Sequence, residues 1–348
     1  MHENQLIKTI EENLKAQKNE AEKASPGELD KKWAFLTKTQ PERFINKDLT
    51  INKESLRNFL KLQLFIWDSP NAFSFPRNPL KYLIYPLSGA RRGAIKFLKE
   101  HYYILEKNGC IELLKKYPIS RVGNPAVFKY KGCEFTSRWA RHIYNLYLFN
   151  KVFGKAIKMD FINMDIGSSY GIFSNLLKKE YPRSHQVLLD FPEQLVLAHY
   201  YLGMIFPEAK IASYKDLIDA KEINRKYIEK YDFVLIPWFM YKNVNSYSLD
   251  MLSNFASLGE MRREWFNYYL KSEPFLSTKY FFIHNRFQSY PEYDNDLTIL
   301  DYPLKEFNTL HFGICPVQFF YMYNAKYIFF YWKKLVSSQY FEFIGERK

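Results

Sequence analysis

Asp165-Ile-Gly-Ser-Ser-Tyr-Gly171 is the stretch on which the reading of this chain turns. It follows an apolar run, Met159-Asp-Phe-Ile-Asn-Met164, and precedes a helix-like run, Ile172-Phe-Ser-Asn-Leu-Leu-Lys-Lys-Glu-Tyr181. A strand, a glycine-bearing turn and a helix make the start of a nucleotide-binding unit. The helix N-terminus directs unpaired N–H groups and a positive dipole end into the turn. Gly167 and Gly171 are expected to let a ligand approach the backbone where a Cβ would collide. The next apolar run, His185-Gln-Val-Leu-Leu189, ends at Asp190. That acid lies about 20 residues beyond the turn, the separation at which a carboxylate meets a ribose. A βαβ unit with no ligand is the plain alternative.

Beyond residue 159 strands and helices alternate, which implies an α/β fold with a parallel sheet covered on both faces. Strands are expected at 160–166, 185–190, 210–214, 231–237 and 279–285. Helices are expected near 170–181, 192–205, 216–229 and 248–270, the last broken near Gly259. A short helix is expected at 301–308, then apolar runs at 311–322, 326–334 and 339–345, with a hairpin at Asn324. Residues 28–155 read as mainly helical: a helix at 94–117, a turn-rich connector at 123–132, an aromatic helix at 135–153, and a proline-bearing loop at 71–79. Residues 1–27 form a polar helical arm with a narrow stripe of Leu6, Ile7, Ile10 and Leu14. The expected division is therefore 1–27, 28–155 and 156–348.

Composition sets limits on function. The 348 residues are 47% hydrophobic and 25% charged, ordinary for a globular chain. The aromatic share of 19% is high, and Tyr and Trp offer apolar faces with polar tips suited to sugars. Cys110, Cys133 and Cys315 are odd in number and far apart, which excludes a disulfide framework and implies a reducing compartment. No acidic or histidine pair falls at metal spacing, so no metal is expected. The start, Met1-His-Glu-Asn-Gln-Leu6, has no signal core, and the greasiest stretch, Phe319 to Trp332, is too short to span a bilayer. A cytoplasmic protein is expected, with the inner membrane face as one possible station. Net charge is +13, and residues 51–150 alone hold 17 Lys+Arg against 6 Asp+Glu. That basic region suggests an anionic partner: a nucleotide-sugar, a lipid-linked phosphate, a membrane surface or nucleic acid. A solvated basic face is the plain alternative, and a homo-oligomer is left open.

The pattern acidic-x-Gly-x-x-x-Gly at 165–171, with Asp190 closing the second strand, resembles the first motifs of class I S-adenosylmethionine-dependent methyltransferases. The resemblance implies a Rossmann-like seven-stranded mixed sheet that ends in an antiparallel hairpin, behind a mainly helical N-terminal part. It also implies that Asp165, Gly167, Ser168, Ser169, Tyr170 and Gly171 form the turn holding the cofactor's methionine end. Asp190 would bind ribose, and Phe191 would lie against adenine. Tyr214 and Asp216 would reach adenine from the third strand. Pro237 and Trp238, ending the fourth, would enclose the methyl group. Three later segments resemble the sugar O-methyltransferases of bacterial surface-polysaccharide gene clusters: Leu249 to Met261, Tyr280-Phe-Phe-Ile-His-Asn-Arg286 and Leu300-Asp-Tyr-Pro-Leu304. This chain departs from many such proteins in its serine-rich turn and in Pro237-Trp238.

Methyl transfer to a hydroxyl needs an aligned acceptor and a base. His284, at the carboxyl end of the fifth strand, is the first candidate, and Glu260 the second. A buried structural histidine and a helical partner of Arg263 are their plain alternatives. Asn254, Asn285 and Arg286 are candidates to orient the sugar. Arg138 and Arg141, three apart on one helix face, are candidates for a carboxylate or an acidic substrate. Asp301 and His311 are further acid–base groups if the last loop folds over the site. S-adenosylmethionine is the expected donor, S-adenosylhomocysteine the product, and a surface-glycan sugar or its nucleotide- or lipid-linked precursor the acceptor. An RNA methyltransferase is the first rival, although no RNA-binding module or base-stacking motif is recognisable. A noncatalytic partner of a glycan-assembly complex is the second. A nicotinamide dehydrogenase is the third, and the Gly-x-x-x-Gly spacing speaks against it.

Overall fold

The strand at Ile162–Ile166 is the centre of the molecule, and every residue of it is buried. The computed structural model describes residues 2–21, 27, 29, 31–64, 89–154, 157–220, 222–289, 295–318, 321–324, 330–335 and 338–348. The loop expected at 71–79 lies outside them. The helices are α1 (His2–Ala21), α2 (Lys31–Thr39), α3 (Lys53–Arg57), α4 (Gly89–Lys107), α5 (Ile111–Lys116), α6 (Ser137–Phe153), α7 (Ile172–Glu180), α8 (Pro192–Ile205), α9 (Tyr214–Ile218), α10 (Arg225–Ile228), α11 (Arg263–Leu270) and α12 (Glu273–Leu276). No helix among the described residues is long and apolar enough to cross a membrane.

The strands are β1 (Phe128–Tyr130), β2 (Cys133–Phe135), β3 (Ile162–Ile166), β4 (His185–Asp190), β5 (Ile211–Ala212), β6 (Phe233–Pro237), β7 (Met251–Phe255), β8 (Tyr280–Arg286), β9 (Phe307–Ile314), β10 (Tyr321–Asn324), β11 (Trp332–Leu335) and β12 (Tyr340–Arg347). One sheet runs β5-β6-β4-β3-β7-β8-β12-β9. Strands β5 to β8 are mutually parallel, while β12 is antiparallel to both β8 and β9. This is the arrangement that the resemblance implied, a Rossmann-like α/β sheet closed by an antiparallel pair, with eight strands rather than seven. The additional strand is the two-residue edge β5.

Five expected elements take a different form. The run 248–270 is not one helix: it is β7, a 3₁₀ turn at Leu258–Glu260, and α11. Ser253 and Asn254 weaken its strand signature, but both side chains find partners on β3, at Asp165 and at the Ile166 carbonyl. Strand β6 then takes the third place, outside β4, and β7 takes the central place beside β3. The helix at 94–117 is two helices, because Gly109 adopts φ +74° between α4 and α5. The segment 216–229 likewise divides into α9 and α10, and 301–308 holds only 3₁₀ turns, at Ile299–Asp301 and Leu304–Glu306. The hairpin at Asn324 exists as β10–β11, but it is a separate two-stranded sheet inserted between the closing strands β9 and β12.

The N-terminal helices pack into the sheet's own core. Leu6, Ile7, Ile10 and Leu14 of α1, Leu98 of α4 and Trp139 and Phe149 of α6 share one buried cluster with Phe173 and Leu197. Helix α1 lies on α8 so closely that a Cβ at Gly203 would fall 2.8 Å from Leu6. Thr136 caps α6 by accepting from the Trp139 N–H at 3.2 Å. That cap fixes the helix whose polar side faces the carboxyl ends of β7 and β8.

Candidate active site

The turn after β3 is tied down from two sides. Asp190, ending β4, accepts the Ser169 N–H at 2.7 Å on one oxygen and the Phe191 N–H at 2.8 Å on the other. Burial raises its carboxyl to about 7, against the pull of those two bonds. Asp165 lies beneath the turn, where Ser253 Oγ donates to it at 3.1 Å, and burial lifts it to about 8. Gly167, Ser169 and Gly171 all have positive φ, at +69°, +55° and +81°. The glycines do not make room for a ligand. A Cβ on Gly167 would lie 2.1 Å from Ser257 Oγ, and one on Gly171 would lie 2.8 Å from Leu188 and 3.1 Å from Leu202. The chain's own side chains fill both spaces, so these glycines serve the turn and its packing.

A cavity of about 260 Å³ opens at the carboxyl ends of the parallel strands, where open α/β sheets take their ligands. Gly167, Ser169, Asp190 and Phe191 line its turn end. Trp33 stands 5.9 Å from Phe191, and Trp265 stands 6.5 Å from Phe191 and 4.7 Å from Trp238, centroid to centroid. These four rings form an aromatic wall. The other end is lined by Arg138, Arg141 and His142 of α6, Glu260, and His284 and Arg286 of β8.

The pleat of β8 decides which residues reach this chamber. His284 and Arg286 face it, and the intervening Asn285 points to the opposite face. Asn254 is turned away for the same reason, since Phe255 pairs with His284 and takes the cavity side. Neither asparagine is placed to hold a substrate. Asn254 Nδ2 donates to the Ile166 carbonyl at 2.6 Å, and its Oδ1 accepts from Leu258 N at 3.1 Å and Asn285 Nδ2 at 2.9 Å. Asn285 Oδ1 accepts from Gly259 N at 3.0 Å. Together they form a buried ladder that joins the ends of β3, β7 and β8.

Glu260 does not pair with Arg263. It accepts from Arg286 Nη2 at 2.9 Å, and Arg263 instead bonds Asp296 and Asp301. Asp301 is thereby held in a surface cluster. Tyr214 and Asp216 lie away from the cavity. Asp216 closes a capping box with Ser213 at the start of α9, and Tyr214 borders a second, small cavity with Pro237. The displacement of β6 outward takes the whole β5 region away from the turn. Ser168 and Tyr170 do not line the chamber either, and Tyr170 packs edge-on against Phe59 and Tyr201. Trp238 does line it. Arg138 Nη1 lies 3.5 Å from Ser169 Oγ, beside the turn, and Arg141 Nη1 donates to Gln318 Oε1 at 2.9 Å.

His284 is 3% exposed, and burial lowers its imidazole to about 4, so it is neutral at pH 7. Its Nδ1 is 3.5 Å from Cys315 Sγ, and its Nε2, which has no hydrogen-bond partner, is 3.8 Å from Glu342 Oε2. A nitrogen, a thiol and a carboxylate thus meet, with their ligand-type atoms within 4.8 Å of one another. Linear spacing did not foretell this group. Both Glu342 oxygens already accept from Tyr144 Oη at 3.1 Å, and Oε1 is also 2.7 Å from His311 Nε2. The cluster is built as a hydrogen-bonded network. Sequence reasoning passed over Glu342, Tyr144, Cys315, Trp33, His142, Gln194 and Trp265. A lone acid within Tyr340-Phe-Glu-Phe-Ile344 was the one available signal.

No family model matches the chain, and no curated protein matches it. Solved structures similar to it include TehB from Haemophilus influenzae, at 10% identity and a TM-score of 0.38, over 59% of this chain and 62% of that one. Magnesium protoporphyrin IX methyltransferase from Synechocystis PCC 6803, with bound S-adenosylhomocysteine, matches at 8% and 0.37, over 61% and 84%. TrmK from M. capricolum, in complex with the same product, matches at 9% and 0.32, over 58% and 68%. The chain thus spans about three fifths of the length of the first of these.

Proposed function

We propose that this protein is an S-adenosylmethionine-dependent methyltransferase acting on a sugar hydroxyl, in a bacterial surface glycan or its nucleotide- or lipid-linked precursor. The observation that carries the reading is that one chamber joins the Asp190-pinned turn to a buried, neutral histidine. The residues present fit the cofactor. Asp190 borders the chamber with a carboxylate able to accept ribose hydroxyls, and the rings of Phe191, Trp33, Trp238 and Trp265 suit an adenine. Gln194 Oε1 is buried without a hydrogen-bond partner among the described residues, on a side chain that lines the same space. Ser169 and Arg138, beside the turn, are the groups assigned to the methionine end on this reading.

When bound, S-adenosylmethionine would supply an electrophilic sulfonium methyl, with the neutral thioether S-adenosylhomocysteine as the leaving group. His284 then takes the proton of the acceptor hydroxyl as its oxygen forms the new bond to carbon. Arg286, held by Glu260 and lying 4.9 Å over the Tyr340 ring, orients the acceptor. Four arginines line the chamber (Arg138, Arg141, Arg262 and Arg286) against the carboxylates of Asp190 and Glu260. That surplus of positive charge supports an acceptor that carries phosphate. Association with a membrane through the basic region 51–150 remains a proposal, and part of that region lies outside the described residues.

The test is calorimetry with S-adenosylhomocysteine, followed by transfer of radiolabelled methyl to UDP-, dTDP- and GDP-sugars, with total RNA as a parallel acceptor. Micromolar binding and label in a nucleotide-sugar are expected. No binding overturns the cofactor reading, and label in RNA alone overturns the sugar. His284→Ala is expected to keep cofactor affinity and lower turnover at least about 100-fold.

A further inference from the structure

Glu342 is a carboxylate, 3% exposed, between the buried apolar side chains of Tyr340, Phe341, Phe343 and Ile344 in the first part of β12. Burying an ionisable group costs several kcal/mol unless it is paired, and an apolar residue would fill this place without that cost. Its neighbours show what it is paired with. In the sheet Glu342 stands directly opposite His284 on β8 and opposite Gly313 on β9. Gly313 gives the room, since a Cβ there would lie 3.3 Å from Glu342 Oε1 and 3.6 Å from His311 Nε2. Three side chains therefore lie in one row beneath α6. His284 opens on the chamber, Glu342 is enclosed, and His311, at the outer strand, has a quarter of its side chain exposed. Tyr144 of α6 donates to both Glu342 oxygens and holds the carboxylate between the two imidazoles.

We propose that Glu342 and His311 form a proton relay behind His284, leading the proton of the acceptor hydroxyl from the enclosed chamber to solvent at the sheet edge. The proposal rests on His284 being the base of the methyl-transfer reading. Charging of the imidazole draws Nε2 and Oε2 together, and a contraction of about 1 Å turns their 3.8 Å approach into a hydrogen bond. The acceptor's proton is taken at His284 Nδ1, and the proton already on Nε2 moves to Glu342. From Glu342 it passes across the 2.7 Å contact to His311 Nε2, while the other ring nitrogen of His311 releases a proton to water. No redox partner is needed, and His284 is left neutral with its proton on Nδ1, to be reset by exchange before the next turnover. The groups facing His284 are Glu342 and His311 from the closing strands, Cys315 just after β9, Tyr144 and His142 with Arg138 and Arg141 from α6, and Arg286 on its own strand. Among these Glu342 favours the charged imidazole, and His311 opposes it.

The experiment needs no acceptor. The full chain, with ¹⁵N-labelled histidines and saturated with S-adenosylhomocysteine, is titrated by NMR, and exchange of the His284 N–H with water is measured. Glu342→Gln is expected to lower the His284 midpoint by at least about half a unit. His311→Gln, which keeps a donor towards Glu342, is expected to slow the exchange at least about tenfold. Tyr144→Phe keeps the carboxylate and removes its damping donor, so the His284 midpoint should rise; this variant carries the test if Glu342→Gln does not fold. An unchanged midpoint in a folded variant, or unchanged exchange in His311→Gln, overturns the relay. The parent reading fails separately, by absence of S-adenosylhomocysteine binding in the wild-type chain. In that case the titration is run on the free protein and decides the coupling alone.

Discussion

Asp190 performs two tasks in this fold, and one substitution can separate them. Its carboxylate accepts the Ser169 and Phe191 N–H groups, at 2.7 and 2.8 Å, and it also borders the chamber. Asp190→Ala strands two N–H donors beside the turn. An unsatisfied buried donor costs about 1–3 kcal/mol, so stability should fall by about 2–6 kcal/mol, less where water enters the gap. The ligand side is counted independently. Hydrogen bonds from a ribose diol to a charged carboxylate contribute about 1.5–3 kcal/mol, which is roughly a 10- to 150-fold loss of affinity. Asp190→Asn keeps one acceptor oxygen and should lie between wild type and Ala on both scales. Calorimetry with S-adenosylhomocysteine at pH 8 reads the second quantity, and urea denaturation reads the first. The pH dependence adds a check. The folded carboxyl sits near 7, above its ordinary 3.8. Its contribution to stability is therefore full below pH 4 and lost as pH rises through 7. Affinity moves the other way, because only the ionised form accepts both hydroxyls, and it should weaken as pH falls from 8 to 6. If Asp190→Ala binds within about twofold of wild type at pH 8 while its urea midpoint drops, Asp190 is a turn pin alone and the ribose assignment is wrong.

Two further outcomes rest on distances beside the turn, and a third on a buried histidine of α4. Gly167→Ala places a Cβ 2.1 Å from Ser257 Oγ at φ +69° and should cost more than about 3 kcal/mol in urea unfolding. Adding Ser257→Gly should recover most of that loss, leaving about 1–2 kcal/mol for the left-handed backbone; no recovery would place the strain elsewhere. Asn254→Ala breaks the ladder between β3, β7 and β8 and should lower stability by about 2–4 kcal/mol. Its affinity for S-adenosylhomocysteine should change little, and a large loss would return Asn254 to the site. Burial holds His101 down to about 3 from 6.5. Its contribution is thus present above pH 6.5 and lost as pH falls through 3. His101→Gln should flatten the decline of Tm between pH 6.5 and 4, and an unchanged slope would refute the assignment.

The parts of the fold that are plain in the sequence are those whose polarity pattern needs no partner to be understood. Strand β4 and helix α8 run close to their expected bounds because apolar runs are closed by Asp190 and Pro192, a strand-ending acid and a helix-starting proline. Strand β7 is not legible. Met251-Leu-Ser-Asn-Phe255 carries two polar residues in its middle, and both serve neighbours far away in the chain: Ser253 serves Asp165, and Asn254 serves Ile166. Without those partners in view, the run with Leu258 and Met261 reads at helical spacing. That one misplacement moves β6 from the fourth position to the third. It thereby takes Tyr214 and Asp216 out of the site while leaving Trp238 in it.

The site itself divides along the same physical line. A motif fixes which residue types stand together, but the pleat of a strand fixes which of them share a space. His284-Asn285-Arg286 is one nominated triplet, yet only the first and third face the chamber. The middle residue spends its hydrogen bonds on the backbone of Gly259 and the side chain of Asn254. Glu342 shows the converse. It belongs to no motif, and nothing within its own segment explains a carboxylate there. The antiparallel return of β12 brings it opposite His284, which lies more than fifty residues earlier in the chain. A charge that a strand cannot satisfy locally points to a partner across the sheet. By that logic the buried acid in the aromatic part of β12 and the histidine near the end of β8 belong to one functional unit. The electrostatics of the base are then set by β12 as much as by the strand that carries it.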